Sequence, residues 1–117
     1  MSSIGTNTGT TTGVKMRFNE YQELALYTLG THLTREQAIL MGGLGLAGES
    51  GEVCELLKKR HYHKKDIPDS EIRDELGDVL WYLSLLAAQH GFDLEAVAQR
   101  NIEKLRERYP NGFPSIR

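Results

Sequence analysis

The chain has 117 residues, a net charge of −2 at pH 7 and 39% hydrophobic residues. That length is one domain's worth, and the small negative charge supplies no basic field to draw the protein onto nucleic acid or an anionic membrane. A single cysteine, Cys54, excludes an internal disulfide framework, and no apolar run nears the roughly 20 residues needed to cross a bilayer, so a cytoplasmic protein in a reducing compartment is expected.

Residues 1–15 (MSSIGTNTGTTTGVK) are Thr, Gly and Ser with hardly any apolar content. Such a segment cannot bury enough surface to offset its ordering entropy, so it reads as a flexible tail before a folded domain over 16–117. The first helix is expected from about Asn19 to Leu29, with Tyr21, Leu24, Ala25 and Leu29 at helical spacing and Gly30 as its stop. Thr34 opens the second, with Gln37 three residues on as the partner in a capping box, and the pattern runs to His61. Glycines 42, 43, 45, 48 and 51 each cost about 1 kcal/mol against Ala in a helix interior. Five in so short a span predict either a break near Gly42–Gly43 or the close approach of another backbone, and a helix whose early portion is weak or irregular.

Asp69 or Ser70 is expected to cap the third helix, to about Gln89, with Ile72, Leu76, Val79, Leu83 and Leu86 as its apolar stripe. Gly91 suits the left-handed position that follows a helix. Asp93 caps a fourth helix, to about Tyr109, with Leu94, Val97, Ala98, Ile102 and Leu105 inward. No segment alternates with period 2 and no repeat is present, so the fold class is all-α, a four-helix bundle-like arrangement. Four helices in under 100 ordered residues give a limited core, which makes assembly into a homodimer or homotetramer the expectation.

The acids carry the chemistry. Glu49 interrupts the apolar line of Leu46, Val53, Leu56 and Leu57, and Glu52 lies one turn on. Glu75 and Asp78 form a second pair with the same spacing, beside Ile72, Leu76 and Val79. Acids three residues apart are usually a solvated face. Two such pairs beside apolar stripes on neighbouring helices are harder to explain that way, because clustered buried carboxylates need cations. A hard divalent ion such as Mg²⁺ suits an all-oxygen set, and Mn²⁺ also fits. No histidine stands three or four residues from these acids, which argues against a carboxylate–histidine di-iron site.

Other candidates have ordinary readings. Lys58, Lys59 and Arg60 complement the C-terminal end of the second helix, with phosphate contact by Lys59 the alternative. His61 and His63 sit in a charged linker and read as solvated. Trp81 and Tyr82 follow the second acidic pair and read as packing residues or as stacking partners for a base. Cys54 reads as a small packed side chain. The glycine run lacks the Gly-Lys-Ser/Thr ending of a phosphate-binding loop.

The blocks GLAGESGEVCELLKK (45–59), DELGDVLWYLSLLA (74–87) and NIEKLRERYPNGF (101–113) together resemble the MazG-type nucleoside triphosphate pyrophosphohydrolases. The family signature ExxE, spacer, ExxD reads here as Glu49-x-x-Glu52, residues 53–74, Glu75-x-x-Asp78. The resemblance implies an all-α oligomer that cleaves a nucleoside triphosphate between the α and β phosphates with Mg²⁺, giving a monophosphate and pyrophosphate. It implies Glu49, Glu52, Glu75 and Asp78 as metal ligands; a carboxylate not fully engaged with metal, Glu49 or Glu52, is expected to take the water's proton. Asn101, Lys104 and Arg108, on one face of the fourth helix, would meet the triphosphate or sugar, including in a neighbouring subunit. The tandem form of the family has two such domains, and this chain carries one. The competing expectations are a phosphoribosyl-ATP pyrophosphohydrolase, which the ELGDVLWY block fits less well, and a non-enzymatic helical oligomerisation module.

Overall fold

A computed structural model describes residues 15–112, so the expected tail lies, but for Lys15, outside the described residues. Among these residues the chain forms four α-helices and no strand: α1 (Phe18–Leu26), α2 (Arg35–His61), α3 (Asp69–Gln89) and α4 (Leu94–Arg108).

The helix ends follow local chemistry. The Thr34 hydroxyl accepts from the Gln37 amide at 3.1 Å, and the Gln37 side chain accepts from the Thr34 amide at 3.0 Å, so the capping box forms as expected. Asp93 caps α4 through the Ala96 amide at 2.7 Å. Gly30 (φ 82°) and Gly91 (φ 80°) take the left-handed conformation that a side chain resists. Two expectations need correction. The first helix stops at Leu26, and residues 27–29 leave it through tight turns. Neither Asp69 nor Ser70 caps α3: Pro68 holds that position, and the Asp69 carboxylate is instead taken by Arg60 Nη2 at 2.7 Å.

The α2 helix is regular and unbroken through its glycines, against the expected irregular early portion, and what approaches them is side chains of α3 rather than another backbone. A Cβ at Gly42 would sit 2.9 Å from Leu86 Cγ, and one at Gly45 would overlap the Tyr82 ring. Gly43, Gly48 and Gly51 face open space. Two of the five glycines are therefore the floor on which α3 side chains rest. The contacts run in antiparallel register. Gly42 meets Leu86, Gly45 meets Tyr82, and at the ends Arg35 Nε donates to the Gln89 carbonyl at 2.8 Å while Arg60 holds Asp69. Every turn gained along α2 is a turn lost along α3.

The other helices lie on the far side of α3. Gln22 of α1 is buried and satisfied: its amide donates to the carbonyls of Ser84 (3.1 Å) and Phe92 (3.2 Å) and accepts from the Leu94 amide (3.0 Å). Asn19 and Glu95 cap one another's helices, each side chain accepting from the other's backbone N–H. The arrangement is a helical hairpin with two helices laid on one side of it. It differs from a closed four-helix bundle because α4 packs on α1 and α3 and makes no close approach to α2.

Candidate metal centre

The register that Gly42 and Gly45 fix carries on along the hairpin. One turn beyond Gly45 comes Glu49, and one turn before Tyr82 comes Asp78, so these two face each other by construction. Carboxylate oxygens of Glu49, Glu75 and Asp78 lie within 4.8 Å of one another. Glu49 and Glu75 are half-buried and Asp78 is exposed, which leaves the cluster open on one side.

Three like charges so close are unfavourable unless a proton or a cation is shared. Glu75 records the conflict. Its Oε1 is sealed from solvent and meets no hydrogen-bond donor. Its carboxyl pKa is raised to about 7, first by a side-chain hydrogen bond with Glu49, then by desolvation and the negative charges of Glu49, Asp78 and Glu52. An orphaned carboxylate oxygen within a set of hard oxygen donors fits a divalent cation of the Mg²⁺ type.

Glu52 stands apart from the other three expected ligands. It is exposed and outside the converging group, although its charge is felt at Glu75. Lys59, half-buried, follows Glu52 by two turns of α2 and so occupies the same flank. The two aromatic candidates hold helices together. Trp81 donates its indole N–H to the Ala25 carbonyl (3.1 Å) and Thr28 Oγ1 (3.0 Å), fastening α1 to α3. Tyr82 lies against Gly45 and meets the Trp81 ring edge-on, with centroids 5.0 Å apart. Asn101 and Arg108 are exposed and Lys104 is half-buried on α4, away from α2.

One neighbour escaped the sequence. Tyr21, read above as an apolar member of the first helix, has its phenol raised by burial and then by the charge of Asp78. The link depends on how α1 crosses α3, which periodicity does not encode.

Comparison with known proteins identifies the family. The model of the MazG nucleotide pyrophosphohydrolase domain matches residues 37–113, a span that includes all four acids and the α4 trio. The chain is 42% identical over 73 residues to the Gene 37 protein of Mycobacterium phage L5, covering 59% of this chain and 64% of that protein. The match thus spans somewhat less than two thirds of the relative's length, and its name states no activity. No solved structure matches. Family match and converging acids together make the conclusion plain: this chain belongs to the MazG nucleotide pyrophosphohydrolase domain family.

Proposed function

We propose that the protein hydrolyses a nucleoside triphosphate between the α and β phosphates, releasing a nucleoside monophosphate and pyrophosphate, and that it does so as a cytoplasmic homo-oligomer clearing nucleotides from the pool. The observation that carries this reading is the convergence of carboxylate oxygens of Glu49, Glu75 and Asp78, beside a buried Glu75 oxygen that has no donor.

Glu49, Glu75 and Asp78 would hold Mg²⁺, with Mn²⁺ as a substitute. The bound ion supplies charge against the phosphate oxygens and lowers the pKa of a coordinated water. A carboxylate engaged with an ion is a poorer base than a free one, so Glu52, outside the converging three, is assigned to take the water's proton, with Glu49 orienting the site. Lys59, on the flank that carries Glu52, would meet a phosphate. Asn101, Lys104 and Arg108 would contact the sugar and neutralise the leaving pyrophosphate. Their helix stays clear of α2, so in an oligomer they would serve a neighbouring subunit's site.

The test is pyrophosphate release from a panel of ribo- and deoxyribonucleoside triphosphates, with Mg²⁺ and with chelator. Glu75→Gln and Asp78→Asn should lose turnover at unchanged helicity. Mg²⁺-independent release, or full activity in either variant, would remove the acids from the chemistry.

A further inference from the structure

The net charge of −2 is spread unevenly. Residues 58–65 read Lys-Lys-Arg-His-Tyr-His-Lys-Lys, so five of the chain's 14 Lys and Arg fall in eight consecutive positions, with Asp66 the first acid after them. They form the tip of the α2–α3 hairpin. The dipole of α2 accounts for Lys58, Lys59 and Arg60 in its last turn. It does not account for Lys64 and Lys65, three and four residues past the end of the helix. Lys58 is drawn to Glu55 at 3.4 Å and Arg60 is held by Asp69 at 2.7 Å, whereas among the described residues Lys64 and Lys65 make no ion pair.

The turn that presents these two lysines is hydrogen-bonded and strained. The Tyr62 and His63 amides donate to the Lys58 carbonyl at 2.8 and 3.3 Å, and the Lys65 amide donates to the Lys59 carbonyl at 3.0 Å. Lys64 sits between them in the left-handed region at φ 56°, the one non-glycine residue there among those described. Glycine would take that conformation freely, as Gly30 and Gly91 do. A lysine there gives up local stability and keeps a charge, which points to a use for the charge. Tyr62, in the middle of the run, is 83% exposed, with cations on both sides of it in the chain.

We infer that the hairpin tip binds single-stranded nucleic acid, with phosphates on Lys64 and Lys65 and an unpaired base stacked on Tyr62. The tip is separate from the acidic cluster. Eleven residues of helix from Glu49 to Arg60, at about 1.5 Å each, put the two roughly 16 Å apart, so a triphosphate held at the acids does not span both. The cations call for a polyanion, and the exposed ring calls for a flat partner, which an unpaired base supplies. Width disfavours a duplex: two helices side by side are about 20 Å across, too broad for a major groove of about 12 Å. An anionic membrane would be met by aliphatic side chains that insert, and none lies between Leu57 and Ile67. An acidic peptide would satisfy the lysines and leave the ring idle.

The test is fluorescence anisotropy of a short end-labelled oligothymidylate titrated with the full chain over a range of salt. Affinity should fall with a log–log slope of about −2 to −3, as three or four engaged phosphates require. Lys64→Gln together with Lys65→Gln should weaken binding about 10-fold or more and flatten that slope by about 1.4. Tyr62→Ala should weaken it about 5-fold or more at unchanged slope, and Arg100→Gln, a lost charge on α4, should change neither. Lys64→Gly should weaken binding while raising Tm, a separation that a merely structural lysine would not show. In native protein, the amide resonances of residues 62–65 should shift on adding the oligonucleotide, a readout that does not depend on any variant folding. No binding at low salt, or equal binding by the tip variants, overturns the proposal. A duplex held as tightly as the single strand, or retention on phosphatidylserine vesicles or polyglutamate but not on the oligonucleotide, overturns it too. Pyrophosphate release by the double lysine variant should match the native protein; a raised KM with unchanged oligonucleotide binding would give the tip to substrate capture instead.

Discussion

Gly45→Ala and Gly48→Ala make opposite demands on one helix. Both replace glycine with the best helix former, a gain of about 1 kcal/mol for an exposed interior position. At Gly48 nothing lies within 4 Å of the new methyl, so the gain should be realised. At Gly45 the methyl would overlap the Tyr82 ring, and no rotation of the methyl relieves that. The ring is also held by Trp81, which is fastened to α1, so α2 must move away from α3. Overpacking of this kind costs about 1–3 kcal/mol, and the required shift puts this site at the upper end. Subtracting the propensity gain leaves a net loss of about 1–2 kcal/mol. With roughly 4–8 °C per kcal/mol for a domain of this size, Gly48→Ala should raise Tm by about that step and Gly45→Ala should lower it by one to two such steps. Thermal melts followed by far-UV circular dichroism, at one fixed protomer concentration, measure both. Glu49 lies one turn from Gly45, so the same displacement should weaken Mg²⁺ binding in Gly45→Ala and leave it unchanged in Gly48→Ala. Adding Tyr82→Leu should recover part of the loss, as expected for residues in contact. A Gly45→Ala protein as stable as Gly48→Ala would refute the account of how the helix register is set.

Other outcomes follow from the acids and from Gln22. Glu75 is raised to about 7, above the usual carboxyl range, so the folded metal-free protein holds this proton more tightly than the unfolded chain does. Its contribution to stability is therefore greatest below about pH 4.5, falls as pH rises to about 7, and is flat above. Urea titrations in chelator, compared with Glu75→Gln, should show that slope, and saturating Mg²⁺ should remove it; a native-minus-variant stability that rises from pH 5 to 7 would contradict the assignment. At pH 8 without metal, Glu75→Gln should be more stable than the native protein yet show no thermal shift with Mg²⁺, and a retained shift would exclude Glu75 as a ligand. Gln22→Ala strands the buried Ser84 carbonyl and Leu94 amide and the part-buried Phe92 carbonyl that Gln22 now satisfies. It should cost about 2–4 kcal/mol in urea unfolding, whereas a loss under about 0.5 kcal/mol would mean water replaces the side chain.

The sequence by itself determined the helices and named the acids they carry. Thr34 with Gln37, Asp93, Gly30 and Gly91 act within a few residues of themselves, so their roles were legible without a third dimension. The spacing of Glu49, Glu52, Glu75 and Asp78 named the acids for the same reason, since a helix puts residues three apart on one side. Tertiary structure alone decided which of them meet. Glu49 joins Glu75 and Asp78 because Gly42 and Gly45 receive Leu86 and Tyr82 and lock the hairpin at one register, while Glu52 is turned outward. The charge of Asp78 felt at Tyr21 and the mutual capping of Asn19 and Glu95 arise from contacts between residues distant in the chain. Periodicity fixes a side chain's angle on its own helix, but what that angle faces depends on where the other helices lie.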